Sequence, residues 1–328
     1  MTTPTSPVER RELGKTGIFV SPVALGCWPI AGMTSLDVND QDSLATLQAT
    51  LDSGINFLDT AYCYGAFGES EKLIAEAIRG RREKVVIATK GGLHWKSPTE
   101  RAYDGTPQKL IAECHESLAR LGTDYIDLLY LHASDPKTPV EISAEAYVAL
   151  KSEGKIRAVG VSNLTLEQLQ KFAAVCPVDA IQPPYNMLQR EIENDLLPYC
   201  LEHSIAVCVY WPLMKGLLAG KLPRDYVFRP GDGRAKYPMF QGDEWLKNQD
   251  FLDELRVIAA ECGKTVAQLV VNWTIHQPGI TVALCGAKRP DQIVETAGSM
   301  GWSLSASQIE RIETALARRG LPLTRGAV

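Results

Sequence analysis

Val85-Val86-Ile87-Ala88-Thr89-Lys90 is a run of β-branched and small residues closed by a lysine. Neither face of the run is polar, which suits a strand covered on both sides, as in a parallel sheet flanked by helices. Two other stretches repeat the pattern. Ile55-Asn56-Phe57-Leu58-Asp59 ends on a carboxylate, and Ile126-Asp127-Leu128-Leu129-Tyr130-Leu131-His132 ends on an imidazole. Further strands are predicted at Val23 to Cys27, Ala158 to Ser162, Ala180 to Gln182, Ala206 to Tyr210 and Thr281 to Cys285.

Helical patterns fall between these strands. Asp40 to Ser53 places Leu44, Leu47 and Leu51 on one face, with Gly54 as a stop. Ser70 to Arg79 follows, and Pro107 to Leu121 is bracketed by Thr106 and Gly122, a good start-and-stop pair. Thr165 to Val175, Asp195 to Glu202, Val266 to His276 and Pro290 to Ser299 continue the alternation. Eight strands with intervening helices predict a (β/α)8 barrel rather than an open doubly wound sheet. Arg11 to Val20 predicts a small hairpin ahead of the first barrel strand. Trp211 to Asp250 predicts a long loop after strand seven, punctuated by glycine and proline, at the rim where such loops carry function.

The 328 residues, 45% of them hydrophobic, suffice for a single barrel domain over residues 9–328, with residues 1–8 as a flexible arm. A net charge of -5 argues against a broad nucleic-acid surface. The N-terminus has no apolar signal region, and no apolar run is long enough to span a bilayer, so a cytoplasmic protein is expected. The eight cysteines form no C-x-x-C pair and read as reduced, structural thiols; Cys63, in the rim loop, reads as a spectator beside the site. Metal-ligand spacing is absent, as is the Gly-x-Gly-x-x-Gly of a Rossmann unit. No feature specifies an oligomeric state, and a monomer is the default expectation.

In a parallel barrel the strand ends emerge on one rim, where barrel enzymes do their chemistry. Asp59, Lys90 and His132 close strands, and Tyr64 lies five residues beyond Asp59. Each alone has a plain explanation: a turn aspartate, a solvated lysine, a structural histidine, a packed tyrosine. Together they make a proton-delivery device. Free tyrosine titrates near ~10, and bringing it to ~7 takes about 4 kcal/mol of preferential phenolate stabilisation. Lys90 is expected to supply this by charge proximity, Asp59 to hold Lys90, and His132 to orient a carbonyl by hydrogen bonding.

Taken together, Gly54 to Gly65 with Gly68-Glu69-Ser70-Glu71, Ala88-Thr89-Lys90, Leu121 to Leu128, and Gly154 to Asn163 resemble the signatures of the aldo-keto reductases, a run covering nearly the whole chain. The resemblance implies a catalytic tetrad of Asp59, Tyr64, Lys90 and His132, with Tyr64 as the acid. Tyr62 is the rival phenol, and the family's spacing from the aspartate selects Tyr64. It also implies a nicotinamide cofactor lying extended across the rim. Ser162, Asn163 and Gln182 would bond its carboxamide, and Tyr210 would stack on its ring.

The stretch from Pro212 and Leu213 through Gly216 to Lys221 resembles the family's pyrophosphate-side loop, and Gly216 lets the backbone approach phosphate closely. Gly286 to Gln292 opens a helix, a favourable place for an anion. Lys288 and Arg289 add positive charge there that suits the 2′-phosphate of NADP(H). The resemblance puts Gln292 and Glu295 near the adenine. The chain departs from many relatives at Cys285 and Thr296, and Gln292 stands where another branch has arginine.

The expected substrate wall is Trp28, Met33, Trp95, Trp211 and the loop from Tyr237 to Trp245, suited to a small carbonyl compound. The function implied is NADPH-dependent reduction of aldehydes and ketones. The alternative is a cofactor-binding, redox-sensing or regulatory protein of the same fold with slow turnover. An unrelated barrel hydrolase would need a second rim carboxylate near Asp59, and Asp127, in mid-strand, does not supply one.

Overall fold

The computed structural model describes residues 9–32, 36–97 and 100–323. The expected N-terminal arm and Met33 lie outside the described residues. A hairpin of β1 (Arg11–Glu12) and β2 (Phe19–Val20) comes first, as predicted. The barrel then begins with β3 (Val23–Gly26), β4 (Phe57–Asp59) and β5 (Val86–Gly91). An antiparallel pair, β6 (Leu93–Ser97) and β7 (Glu100–Tyr103), interrupts it. The barrel resumes with β8 (Ile126–Leu131), β9 (Ile156–Ser162), β10 (Ala180–Gln182), β11 (Ala206–Tyr210) and β12 (Ile280–Gly286), which returns to pair with β3. All eight pairings are parallel. The chain therefore folds as an α/β (β/α)8 barrel.

The helices are α1 (Asp40–Asp52), α2 (Glu69–Ala77), α3 (Pro107–Leu121), α4 (Val140–Ser152), α5 (Leu166–Val175), α6 (Leu196–His203), α7 (Gly242–Glu261), α8 (Val266–Ile275), α9 (Pro290–Ala297) and α10 (Ala306–Arg319). Pro107 opens α3, and Gly122, left-handed with φ 63°, closes it. Thr165 and Thr265 cap α5 and α8 in reciprocal boxes with Gln168 and Gln268.

Strand residues divide by period two. Ala24, Phe57, Val86, Ala88, Leu128, Tyr130, Ala158, Ala180, Ala206, Cys208, Val282 and Leu284 fill the barrel interior, joined by Leu13, Ile18 and Val20 of the hairpin. Their alternates, among them Leu25, Leu58, Ile87, Leu129, Val159 and Val209, pack outward against the helices. Arg11 bonds the carbonyls of Ile275, Ile280 and Thr281 around the start of β12, which fixes the hairpin as a plug at the amino-terminal end. In the interior, a Cβ on Gly160 would meet the Tyr130 ring at 2.3 Å, so this glycine makes room for the aromatic.

The expected loop from Trp211 to Asp250 is shorter than predicted. Short helical turns cover Met214–Ala219, Gly233–Lys236 and Pro238–Phe240, and α7 already begins at Gly242. The apolar period of α7 is blurred because its buried face carries Glu244, Asn248 and Gln249. Each of these is hydrogen-bonded inside. Glu244 and Asn248 receive the buried Arg319 guanidinium, and Gln249 donates to the Leu222 carbonyl at 3.1 Å. Among the described residues, no helix is long and apolar enough to cross a membrane.

Candidate active site

In six of the eight barrel strands the interior parity leads to one candidate residue at the carboxyl end, while β3 and β12 end on Gly26 and Gly286. Phe57 is followed two residues on by Asp59, and Ala88 by Lys90. Tyr130 precedes His132, Ala180 precedes Gln182 and Cys208 precedes Tyr210 by the same step; Ala158 leads through Gly160 to Ser162. Apolar interior residues therefore give way to polar ones at the rim.

Tyr64 arrives by a different route. Past β4, Thr60 N–H donates to the Ala88 carbonyl (2.8 Å) and Tyr62 N–H to the Lys90 carbonyl (3.0 Å), which extends the pairing with β5. A turn closed by Tyr64 N–H on the Ala61 carbonyl (2.9 Å) then brings Tyr64 back over the site. Tyr62 faces elsewhere. Its hydroxyl donates to Glu116 (2.7 Å), and the Arg120 guanidinium lies 4.2 Å from its ring centre.

The Lys90 ammonium has three donors and three acceptors. It donates to Asp59 Oδ1 (2.6 Å), the Thr60 carbonyl (2.7 Å) and the Tyr64 hydroxyl oxygen (3.3 Å). Asp59 Oδ2 accepts from Gln182 Nε2 at 2.7 Å. An ammonium only donates, so the Tyr64 oxygen is the acceptor of this contact and its own O–H proton points away from Lys90. His132 lies beside Tyr64, ring centres 6.0 Å apart and nearly perpendicular. Its Nδ1 is 3.7 Å from the Cys63 thiol. Cys63 thus touches a candidate residue, a contact that sequence spacing did not reveal. Burial pushes its thiol up to about 12, so it stays protonated and is a weak donor rather than a nucleophile.

The electrostatics correct one expectation. The Tyr64 phenol is held well above its ordinary value, first by burial and then by the negative charge of Asp59. Lys90 does not bring it down because Asp59, 2.6 Å away, compensates the ammonium. Burial also pushes the Asp59 carboxyl up, against the pull of Lys90 and Gln182. His132 is driven well below its ordinary value by burial, then by the charges of Lys90 and Arg101, and is a neutral imidazole.

Around this centre, Ser162 donates to the Gln182 carbonyl (2.8 Å), Asn163 donates to the His132 carbonyl (3.0 Å) and to Ser162 (3.1 Å), and Tyr210 donates to Asn163 Oδ1 (2.7 Å). The structure thus joins the three residues expected at a carboxamide, and Tyr210 expected on the ring, into one network, in which the Gln182 amide nitrogen also holds Asp59. Asn163 is left-handed, with φ 57°, a strain that clusters at ligand sites. The next segment repeats it: Trp211, Met214, Lys215 and Gly216 all have positive φ, and the short turn after Pro212 and Leu213 is built on them. An amide and a phosphate both fit such groups, in donor and acceptor chemistry and in backbone exposure.

Past β12, Gly286 leads into α9. The Gln292 side-chain oxygen accepts from the backbone N–H of Lys288 (2.9 Å) and Arg289 (3.2 Å), so its role here is to cap the helix. Lys288 donates to the Leu36 carbonyl (2.5 Å), Arg289 pairs with Asp291 (3.2 Å) and Glu295 with Lys221 (2.5 Å).

Of the expected wall, Trp28 lies edge-on to Tyr64 with ring centres 5.0 Å apart. Trp95 donates its indole N–H to the Cys63 carbonyl (2.8 Å), and Trp211 packs edge-on to Tyr210 (5.2 Å). Trp245 does not face the rim: it is buried against Phe240, with its indole N–H on the Arg224 carbonyl.

Comparison with known proteins agrees with this geometry. The profile of the Aldo/keto reductase family matches residues 22–317. The aldo-keto reductase YhdN of Bacillus subtilis is 39% identical over 312 residues, 94% of each chain. The NADH-specific methylglyoxal reductase of Escherichia coli is 36% identical over 91% of this chain and 95% of its own. Among solved structures, the glycerol dehydrogenase AKR11B4 of Gluconobacter oxydans superposes with a TM-score of 0.89 at 36% identity, covering 97% of this chain and 98% of that one. With the rim network described above, these matches show that the chain belongs to the aldo/keto reductase family.

Proposed function

We propose that this protein reduces small aldehydes and ketones to alcohols, reversibly, with NADP(H) as its cofactor and Tyr64 as the general acid. The observation that carries the reading is the Lys90 ammonium, whose three donors are all engaged, one of them on the Tyr64 oxygen. The similar proteins of Escherichia coli and Gluconobacter oxydans, a methylglyoxal reductase and a glycerol dehydrogenase, support interconversion of small carbonyl compounds and alcohols.

The cofactor, when bound, supplies hydride to the substrate's carbonyl carbon. Ser162, Asn163 and Gln182 would hold its carboxamide, Tyr210 would pack on its ring, and the turn at Pro212, Leu213 and Gly216 would take its pyrophosphate. Lys288 and Arg289 would meet a 2′-phosphate; Gly286 and Glu295 flank that end. The Escherichia coli relative's preference for NADH makes this pair of cations the deciding feature.

Tyr64 presents its O–H to the carbonyl oxygen. A neutral phenol suffices there, because the alkoxide formed as hydride arrives is a far stronger base than phenolate, so the proton moves downhill. His132, neutral, donates from Nε2 while Cys63 sits against Nδ1 and favours that tautomer. Asp59 holds Lys90 in place, and Trp28, Trp95 and Trp211 exclude water. Replacing Tyr64 with phenylalanine should lower kcat for 4-nitrobenzaldehyde by roughly 1,000-fold or more. NADPH affinity, read by tryptophan quenching, should stay within about twofold. Near-wild-type turnover by this variant would falsify the assignment of the acid.

A further inference from the structure

Arg101 is the cation the tetrad does not account for. It lies on β7, directly opposite Trp95 of β6, with its guanidinium carbon 5.8 Å from the centre of the indole. Trp95 is fastened to the Cys63 carbonyl and packs with Ala61, Cys63, Leu93 and Tyr64. A short chain of contacts therefore runs from the guanidinium to the candidate acid. Arg101 is exposed, and among the described residues no carboxylate lies within ion-pairing distance of it. Its neighbour Glu100 faces Lys96 instead, at 3.3 Å. The positive field of Arg101 reaches the site, opposing the upward push on Tyr64 and Cys63 and adding to the downward push on His132.

We infer that Arg101 is a specificity residue, presenting an unpaired guanidinium at the mouth to substrates that carry an anionic group, carboxylate or phosphate, beyond the reacting carbonyl. A guanidinium matches either anion with two parallel hydrogen bonds, and its cation–π contact with the Trp95 indole, 5.8 Å from the ring centre, keeps it beside the site. What the anchored group then undergoes rests on the reductase reading; where it binds does not.

The test compares 4-carboxybenzaldehyde with its methyl ester, and 4-formylphenyl phosphate with 4-methoxybenzaldehyde. The wild type should show a lower KM for both anions than for their neutral partners, by about tenfold, shrinking as salt is raised. Arg101→Gln should abolish this difference while leaving KM for the neutral aldehydes and kcat within about twofold, and Arg101→Lys should restore part of it. Loss confined to the carboxylate or to the phosphate would identify which anion the residue takes. A preference that survives Arg101→Gln, or an equal loss for charged and neutral aldehydes, overturns the inference. Binding of 4-carboxybenzaldehyde is read separately from tryptophan fluorescence. Arg101-dependent binding without turnover of any aldehyde would sink the reductase reading and leave the anion site standing.

Discussion

Asp59, Lys90 and Gln182 are 2%, 1% and 3% exposed, with Asp59 bonded to the other two, whereas Arg289–Asp291, Arg229–Asp37 and Lys221–Glu295 each have at least one partner largely in contact with water. The carboxyl side of the barrel thus has one end made of strand termini and one made of surface charge. At the first end, each charge left water only because a partner waits for it, so no member can be removed without stranding another. At the second, water and salt screen every pair, and each contributes little to stability. The contrast separates two jobs. On the proposed function, proton delivery falls among buried, mutually bonded groups, and discrimination between dinucleotides would fall where a substitution is cheap.

The most disruptive way to break this comparison is Lys90→Met. The Asp59 carboxylate would be left buried without its cation, and stability should fall by about 3–5 kcal/mol. Urea denaturation measures the loss; a variant as stable as wild type would mean that the inner end is not the balanced unit drawn here.

A pH profile sharpens the same point at about tenfold per pH unit. Because the Tyr64 phenol is held above its ordinary value, it keeps its proton through pH 6–9, and the Tyr64 limb of carbonyl reduction should stay flat there. Alcohol oxidation needs the phenolate to accept a proton, so its rate should climb with pH across the same window. A reduction rate halved near pH 7 by loss of the Tyr64 proton would contradict the electrostatics.

The mildest test addresses the outer end. Lys288→Ala should weaken NADPH by roughly tenfold, leave NADH nearly untouched and change stability by about 0.5 kcal/mol or less. Equal effects on the two nucleotides would show that Lys288 meets something other than a 2′-phosphate.

Much of the inner end was legible because polar residues closing apolar runs have few reasons to be there. The eight barrel strands were found to within a few residues: β9 begins at Ile156 rather than Ala158, and β4 at Phe57 rather than Ile55. Three helices were missed: α4, α7 and α10. In α7 the cause is visible, since Glu244, Asn248 and Gln249 occupy the buried face and erase the amphipathic signal. The rim pair β6–β7 was missed as well, because Leu93 to Ser97 alternates for only five residues and Glu100 to Tyr103 is mostly exposed. With it went Arg101, which has no neighbour in sequence that hints at its place beside Trp95.

By itself the sequence determined the order of strands and helices, the polar residues that end the strands, and the family signatures that select Tyr64. Which alternate residues face the barrel interior was left to the closed sheet, as was the turning of Tyr62 onto Glu116 and of Cys63 onto His132. So was the acidity of Tyr64. A lysine at the end of the neighbouring strand promises a cation beside Tyr64, but a charge acts through its net surroundings. Only folding brings Asp59 close enough to cancel it.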